Sequence, residues 1–156
     1  MEDKTNVMRM LDKLRIPYRH YTYPTPQALS GVEVAQILNR DPAQVFKTLV
    51  TVAKSKKNYV FVIPSGAELD LKKAASAVKE KSIEMLKSKE LLPLTGYVHG
   101  GCSPLGMKKT FPTVIDLSAQ NFESIIFSAG KIGFQVEVSL ADLHQALNFS
   151  LADLTA

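Results

Sequence analysis

Three stretches of the chain hold residues whose types and spacing could do chemistry. The first is GYVHGGCSPLGMKK at 96–109, which gathers four glycines, a proline, the only cysteine and two adjacent lysines between apolar segments. Cys102 with a histidine would make a nucleophile and its base, since a thiolate needs a base or a positive neighbour at neutral pH. The same residue also fits a small hydrophobe packed under a turn. The glycines suit a phosphate cradle, because they let backbone N–H groups approach an anion while Lys108 and Lys109 stand close by. The run is not G-x-x-x-x-G-K-[ST], since Met107 separates Gly106 from Lys108, so nucleotide hydrolysis is not implied. A tight loop bent by Pro104 and Gly106 is the plain alternative.

The second stretch is built around Lys47, the one polar charge in the β-prone run VFKTLVTVA at 45–53. Alternation puts it on one face with Leu49. If that face is interior, the ammonium needs a carboxylate, a carbonyl or a ligand; on an edge strand it would reach solvent instead. The third is SAGKIG at 128–133, where Ser128, Gly130 and Gly133 form either a backbone-rich pocket wall or a turn. The histidines, His20, His99 and His144, are scattered and share no metal-ligand spacing with Cys102, so no zinc site and no cofactor are expected.

The elements that must position these residues follow from periodicity. Val7, Met8, Leu11 and Leu14 mark an amphipathic helix stopped by Pro17, and YRHYTYP suits a short strand. Ser30 with Glu33 opens a second helix through a capping box, with Val34, Ile37 and Leu38 as its apolar face and NRDP closing it. VFKTLVTVA and NYVFVIP read as a hairpin across a lysine-rich turn. DLKKAASAVKE and SIEMLKSKELLPL read as helices, the latter ending at Pro93 and Gly96. PTVIDLS, SIIFSAG and GFQVEVS are three short strands, and SLADLHQALNF is a capped terminal helix with Leu140, Leu143 and Leu147 in register. Helices lie first and last and strands cluster centrally, which predicts a mixed α/β domain with a curved, largely antiparallel sheet or barrel-like core.

Length and composition agree with one domain spanning residues 1–156: there is no repeat, linker or low-complexity tract, and 46% of the 156 residues are hydrophobic. No apolar run reaches the roughly 18 residues of a membrane span. The acidic start MEDKTNVMRM has no secretory core, and a lone cysteine suits a reducing cytoplasm, so a cytoplasmic location without membrane contact is expected. A net charge of +4 permits an anionic partner without requiring one.

Taken together, FKTLV at 46–50, KKAA at 72–75, TGYVHGGCSPLGMKK at 95–109 and SAGKIGFQVEVS at 128–139 resemble the YbaK/EbsC family of aminoacyl-tRNA deacylases. These are relatives of the editing domain inserted in bacterial prolyl-tRNA synthetases, and the match covers most of the chain from Tyr18 onward. The resemblance implies removal in trans of mischarged amino acids, above all from Cys-tRNA(Pro), with the substrate's own thiol attacking its ester. A second, hydrolytic sieve is the physical remedy where binding alone separates small side chains poorly. By position it implies that Lys47 is the functional lysine, that Tyr23, Thr48, Gly100, Gly101, Ser128 and Gly130 hold the substrate, and that Lys108 and Lys109 touch tRNA. Prolyl-tRNA synthetase is the implied partner, in a transient ternary complex with tRNA(Pro). Gln135 stands where some relatives carry an acidic residue, which leaves open the contact to the substrate amine and the choice between cysteine and alanine. The sister branch clears Ala-tRNA(Pro). The lysine clusters at 54–57, 72–73 and 108–109 would equally serve a noncatalytic module that binds tRNA or a synthetase.

Overall fold

The computed structural model describes residues 4–24 and 29–156. Among these residues five α-helices and eight strands succeed one another as α1 (Asn6–Lys13), β1 (Arg19–Thr22), α2 (Gly31–Leu38), β2 (Phe46–Ala53), β3 (Asn58–Pro64), α3 (Leu71–Ala77), β4 (Ile83–Met85), α4 (Ser88–Thr95), β5 (Thr113–Asp116), β6 (Ser124–Ser128), β7 (Phe134–Ser139), α5 (Leu140–Leu143) and β8 (Phe149–Ala152). The expected mixed α/β class is what these residues build. The strands form two sheets with no closed barrel: an antiparallel one in the order β1-β7-β6, and a larger one in the order β4-β2-β3-β5-β8. In the larger sheet β2 is antiparallel to β3 and β4, while β5 runs parallel to both β3 and β8.

Side-chain alternation explains the layers. Val60 and Val62 of β3 join Phe46, Val50 and Ile115 in one core, which the small sheet completes with Ile125, Phe127, Val136 and Val138 and α1 with Val7, Met8 and Leu11. Their neighbours Phe61 and Ile63 face the other way, against Ala74 and Ala75 of α3. A strand buried on both faces must be apolar at every position, which is why NYVFVIP carries an unbroken hydrophobic run. The outer face of the small sheet meets α2 through Ile126, Val34 and Ala35.

Several boundaries depart from the sequence expectation. SIEMLKSKELLPL is not one helix: Ile83–Met85 is a strand paired to the far end of β2, and α4 begins only at Ser88 and runs through Pro93. SLADLHQALNF yields a helix of only four residues followed by turns, and Phe149–Ala152 forms a strand that parallel pairing to β5 selects. Ile37, expected on the apolar face of α2, is exposed, and Ala35 is buried instead. No helix among the described residues is long and apolar enough to cross a membrane.

Two polar arrangements fix the positions of the elements. Glu137 on β7 is buried, and accepts hydrogen bonds from Arg40 beyond α2, Tyr21 on β1 and Ser124 on β6. These hold its carboxyl below the usual glutamate range despite burial, which by itself raises it. At the start of α2, the capping box of Ser30 and Glu33 is present as expected. Beside it Gly31 sits against the end of β3, where an added Cβ would fall 2.1 Å from Ser65 Cβ. Gly31→Ala is therefore expected to destabilise the fold by about 1–3 kcal/mol, read as a lower urea midpoint. Adding Ser65→Gly should restore part of the loss, and equal midpoints for wild type and Gly31→Ala would refute the packing constraint.

Candidate functional site

The site grows out of β2. Leu86 N–H donates to the Val50 carbonyl at 3.1 Å and Lys54 N–H to that of Ser82 at 3.2 Å, so the even-numbered residues of β2 turn their peptide groups toward β4. That pairing covers only Thr51 to Ala53, while at the other end of the strand Val45 bridges to Ile126 of β6. Between these contacts the peptide edge around Thr48 has no strand beside it among the described residues, and a cavity of about 510 Å³ opens there. Such a volume is in the ordinary range for small-molecule sites.

Five of the residues expected to act together do line this cavity: Lys47 and Thr48 from β2, Tyr23 beyond β1, Gly100 in the glycine loop and Ser128 at the end of β6. Lys47 is paired in register with Ile63 and has no ion-pair partner among the described residues, leaving its ammonium to solvent or a ligand. Thr48 Oγ1 is buried without a hydrogen-bond partner among the described residues, an uncommon condition for a hydroxyl and one that a bound polar group would satisfy. Tyr23 is anchored by its N–H to the Gly133 carbonyl at 3.1 Å and meets the Gln135 amide through its hydroxyl at 3.1 Å. Burial raises its phenol above the ordinary range, and the Gln135 hydrogen bond opposes this.

The other expected residues lie elsewhere. Gly101 packs behind the wall, where a Cβ would come within 3.3 Å of Ile132 N. Gly130 has φ +93° and lies against the Tyr97 ring; a Cβ there would fall 3.0 Å from Tyr97 Cε1. Its N–H donates to Ser128 Oγ at 3.1 Å, so it orients the serine from behind. Lys108 lies across Gly96 and Lys109 is exposed; neither lines the cavity.

Tyr97 was not singled out by the sequence, yet it organises the loop. Its hydroxyl donates to the Leu105 carbonyl, and it lies close to both Gly106 and Gly130, so two glycines of separate motifs are explained by one aromatic ring. Wall residues not assigned to the site beforehand include His99, Ser30 and Gly31 at the N-terminus of α2, Leu86 ahead of α4, and Ser88 and Leu91 on it. The capping box flagged Ser30 as a helix start but carried no signal that the start would face a site. Cys102 also borders the cavity, but burial pushes its thiol up to about 12, and no base is bonded to it among the described residues. It is a protonated packing residue at neutral pH.

The sequence pattern of the aminoacyl-tRNA editing domain matches residues 25–146. The protein EbsC of Enterococcus faecalis, described as a candidate Cys-tRNA(Pro)/Cys-tRNA(Cys) deacylase, is 44% identical over 155 residues, which are 99% of this chain and 94% of that protein. A proline–tRNA ligase of Shouchella clausii is 28% identical over 110 residues, 70% of this chain but 19% of the ligase. In fold, a crystal structure described as a candidate trans-editing enzyme for prolyl-tRNA synthetase matches with a TM-score of 0.84 at 21% identity, covering 99% of each chain. On the extent of these matches and the cavity that its motifs assemble, the chain belongs to the aminoacyl-tRNA editing domain family.

Proposed function

We propose that residues 1–156 act as a single deacylase domain that clears mischarged tRNA in trans, with Cys-tRNA(Pro) as its main substrate and the cysteine thiol as the nucleophile. The observation that carries this reading is a cavity that, among the described residues, has an unpaired lysine and several polar groups but no activated nucleophile: its one thiol is held protonated by burial. A substrate that brings its own sulfur needs none. The name of the Enterococcus faecalis relative and the match to a prolyl-tRNA ligase segment support the same substrate.

In this mechanism the substrate sulfur loses its proton and forms a bond to the ester carbonyl carbon. The carbon–oxygen bond to the terminal ribose breaks, and the ribose oxygen takes up a proton. The resulting four-membered thiolactone opens with water to free cysteine. Intramolecular attack saves the cost of bringing in a second reactant, offset in part by ring strain. Lys47 stabilises the charge that develops on the carbonyl oxygen, and the hydroxyls of Thr48 and Ser128 hold the acyl group. Tyr23 packs on the terminal adenosine, while Lys108 and Lys109, away from the cavity, meet phosphates of the acceptor stem. Prolyl-tRNA synthetase joins transiently and supplies the choice of tRNA.

Deacylation of a panel of Cys-, Ala- and Pro-tRNA(Pro) tests the reading: cleavage of Cys-tRNA(Pro) is expected, and hydrolysis of none would sink it. Cleavage of the alanyl ester without the cysteinyl one would move the chain to the alanine-clearing branch. Lys47→Ala should lower kcat/KM by about 100-fold or more, the scale for loss of a charge-stabilising group.

The state of Cys102 has its own signature. Its folded value, about 12, lies above the ordinary 9.0, so below pH 9.0 both states keep the proton and the full stabilisation is present. Above that, the unfolded thiol ionises first and stability falls as pH rises towards 12. Tyr97, also raised to about 12 by burial, adds to the same alkaline loss. Urea midpoints should therefore decline with pH in this window, and less steeply in Cys102→Ala. Identical slopes would show that the thiol is not held protonated.

A further inference from the structure

The charge on the cavity wall is one-sided. Its titratable members among the described residues are Lys47, His99, Cys102 and Tyr23, and no aspartate or glutamate lines it. Four carboxylates, Glu33, Glu84, Glu90 and Glu137, lie within two residues of wall residues along the chain, and none of them lines the cavity; Glu84 and Glu90 are exposed, and the other two are engaged elsewhere. Glu33 accepts the Ser30 N–H at 3.1 Å in the capping box of α2. Glu137, two residues along β7 from Gln135, is occupied by Arg40, Tyr21 and Ser124. What β7 presents to the cavity instead is the neutral amide of Gln135, bonded to the Tyr23 hydroxyl.

An aminoacyl ester carries its α-amine on the carbon next to the one under attack. A site that demands the ammonium form meets it with a carboxylate, because charge-assisted hydrogen bonds are about twice as strong as neutral ones. This wall offers no such partner and sets the Lys47 cation in the same enclosure, where a second positive charge is disfavoured. We infer that the cavity does not require a free α-amine, and that its substrates extend to N-acylated aminoacyl esters of tRNA, such as N-acetyl-cysteinyl-tRNA. The inference rests on the deacylase reading above and adds a substrate class to it. The balance of the reaction is unchanged by the acyl group: sulfur bonds to the ester carbon, the bond to the ribose oxygen breaks, that oxygen takes the proton, and nitrogen is not a reactant. An acetyl group is small beside a cavity of about 510 Å³.

The test compares initial rates on Cys-tRNA(Pro) and N-acetyl-Cys-tRNA(Pro), each corrected for its own spontaneous hydrolysis. The expected result is a kcat/KM for the acetylated substrate within about tenfold of the free one, less than the contribution of one charge-assisted contact. A larger loss, with Cys-tRNA(Pro) still cleaved, overturns the inference and leaves the deacylase reading standing. Cleavage of neither overturns both. Gln135→Glu, checked for folding by circular dichroism, supplies the missing carboxylate and should shift preference towards the free amine by about tenfold. An unchanged preference in a folded Gln135→Glu protein would overturn the assignment of the wall's charge as the cause.

Discussion

The structure depends on how the second strand is covered along its outer edge. One side of β2 is paired with β3, but the other meets β6 at its start and β4 at its end, with no strand alongside the middle among the described residues. Peptide groups left without partners in apolar surroundings are costly, so such a gap persists only where solvent or a ligand can reach it. The cavity is that gap. Its floor is backbone and its first side chains, Lys47 and Thr48, are those the strand carries past it. The edge is left open because β4 ends at Met85, opposite Thr51, before it reaches the middle of β2.

Around the gap, charge is arranged in two opposite ways. Behind the small sheet, Glu137 is surrounded by donors from β1, β6 and the segment after α2, a satisfied cluster that fastens that segment and β1 to β6 and β7. Removing one partner of such a buried pair strands the other, which makes it a fastener rather than a titrating group. On the cavity side, Lys47 is left unpaired among the described residues. The first arrangement holds the walls still and the second leaves a cation for whatever enters. Preorganised charge of this kind is the usual source of transition-state stabilisation.

Much of the fold was legible because local rules agree with the tertiary ones. Ser30 and Glu33 cap α2 with side chains three residues apart, and β3 is hydrophobic from Tyr59 to Ile63 because that stretch is buried on both faces. Ile83–Met85 and Phe149–Ala152 were illegible for a common reason. Each is a strand of three or four residues whose state is selected by a partner far away in sequence, and each adjoins an amphipathic pattern that reads as helix. Pro93 misled in the same region: it lies inside α4, in the second turn, where its missing N–H costs one intrahelical bond that the helix tolerates.

By itself the sequence determined the class of fold, the helix start at Ser30, and the motifs that carry the editing-domain resemblance, since these depend on residue types at short fixed spacings. It placed Lys47 and Thr48 together, as neighbours on one strand must be. Only the tertiary structure decided that Gly100 is on the wall while Gly101 is behind it, that Gly106 and Gly130 both make room for Tyr97, and that Cys102 is buried and protonated. It also decided that the wall holds no carboxylate among the described residues. Burial, close approach and the sign of the local field are sums over groups from distant parts of the chain, and no local spacing encodes them.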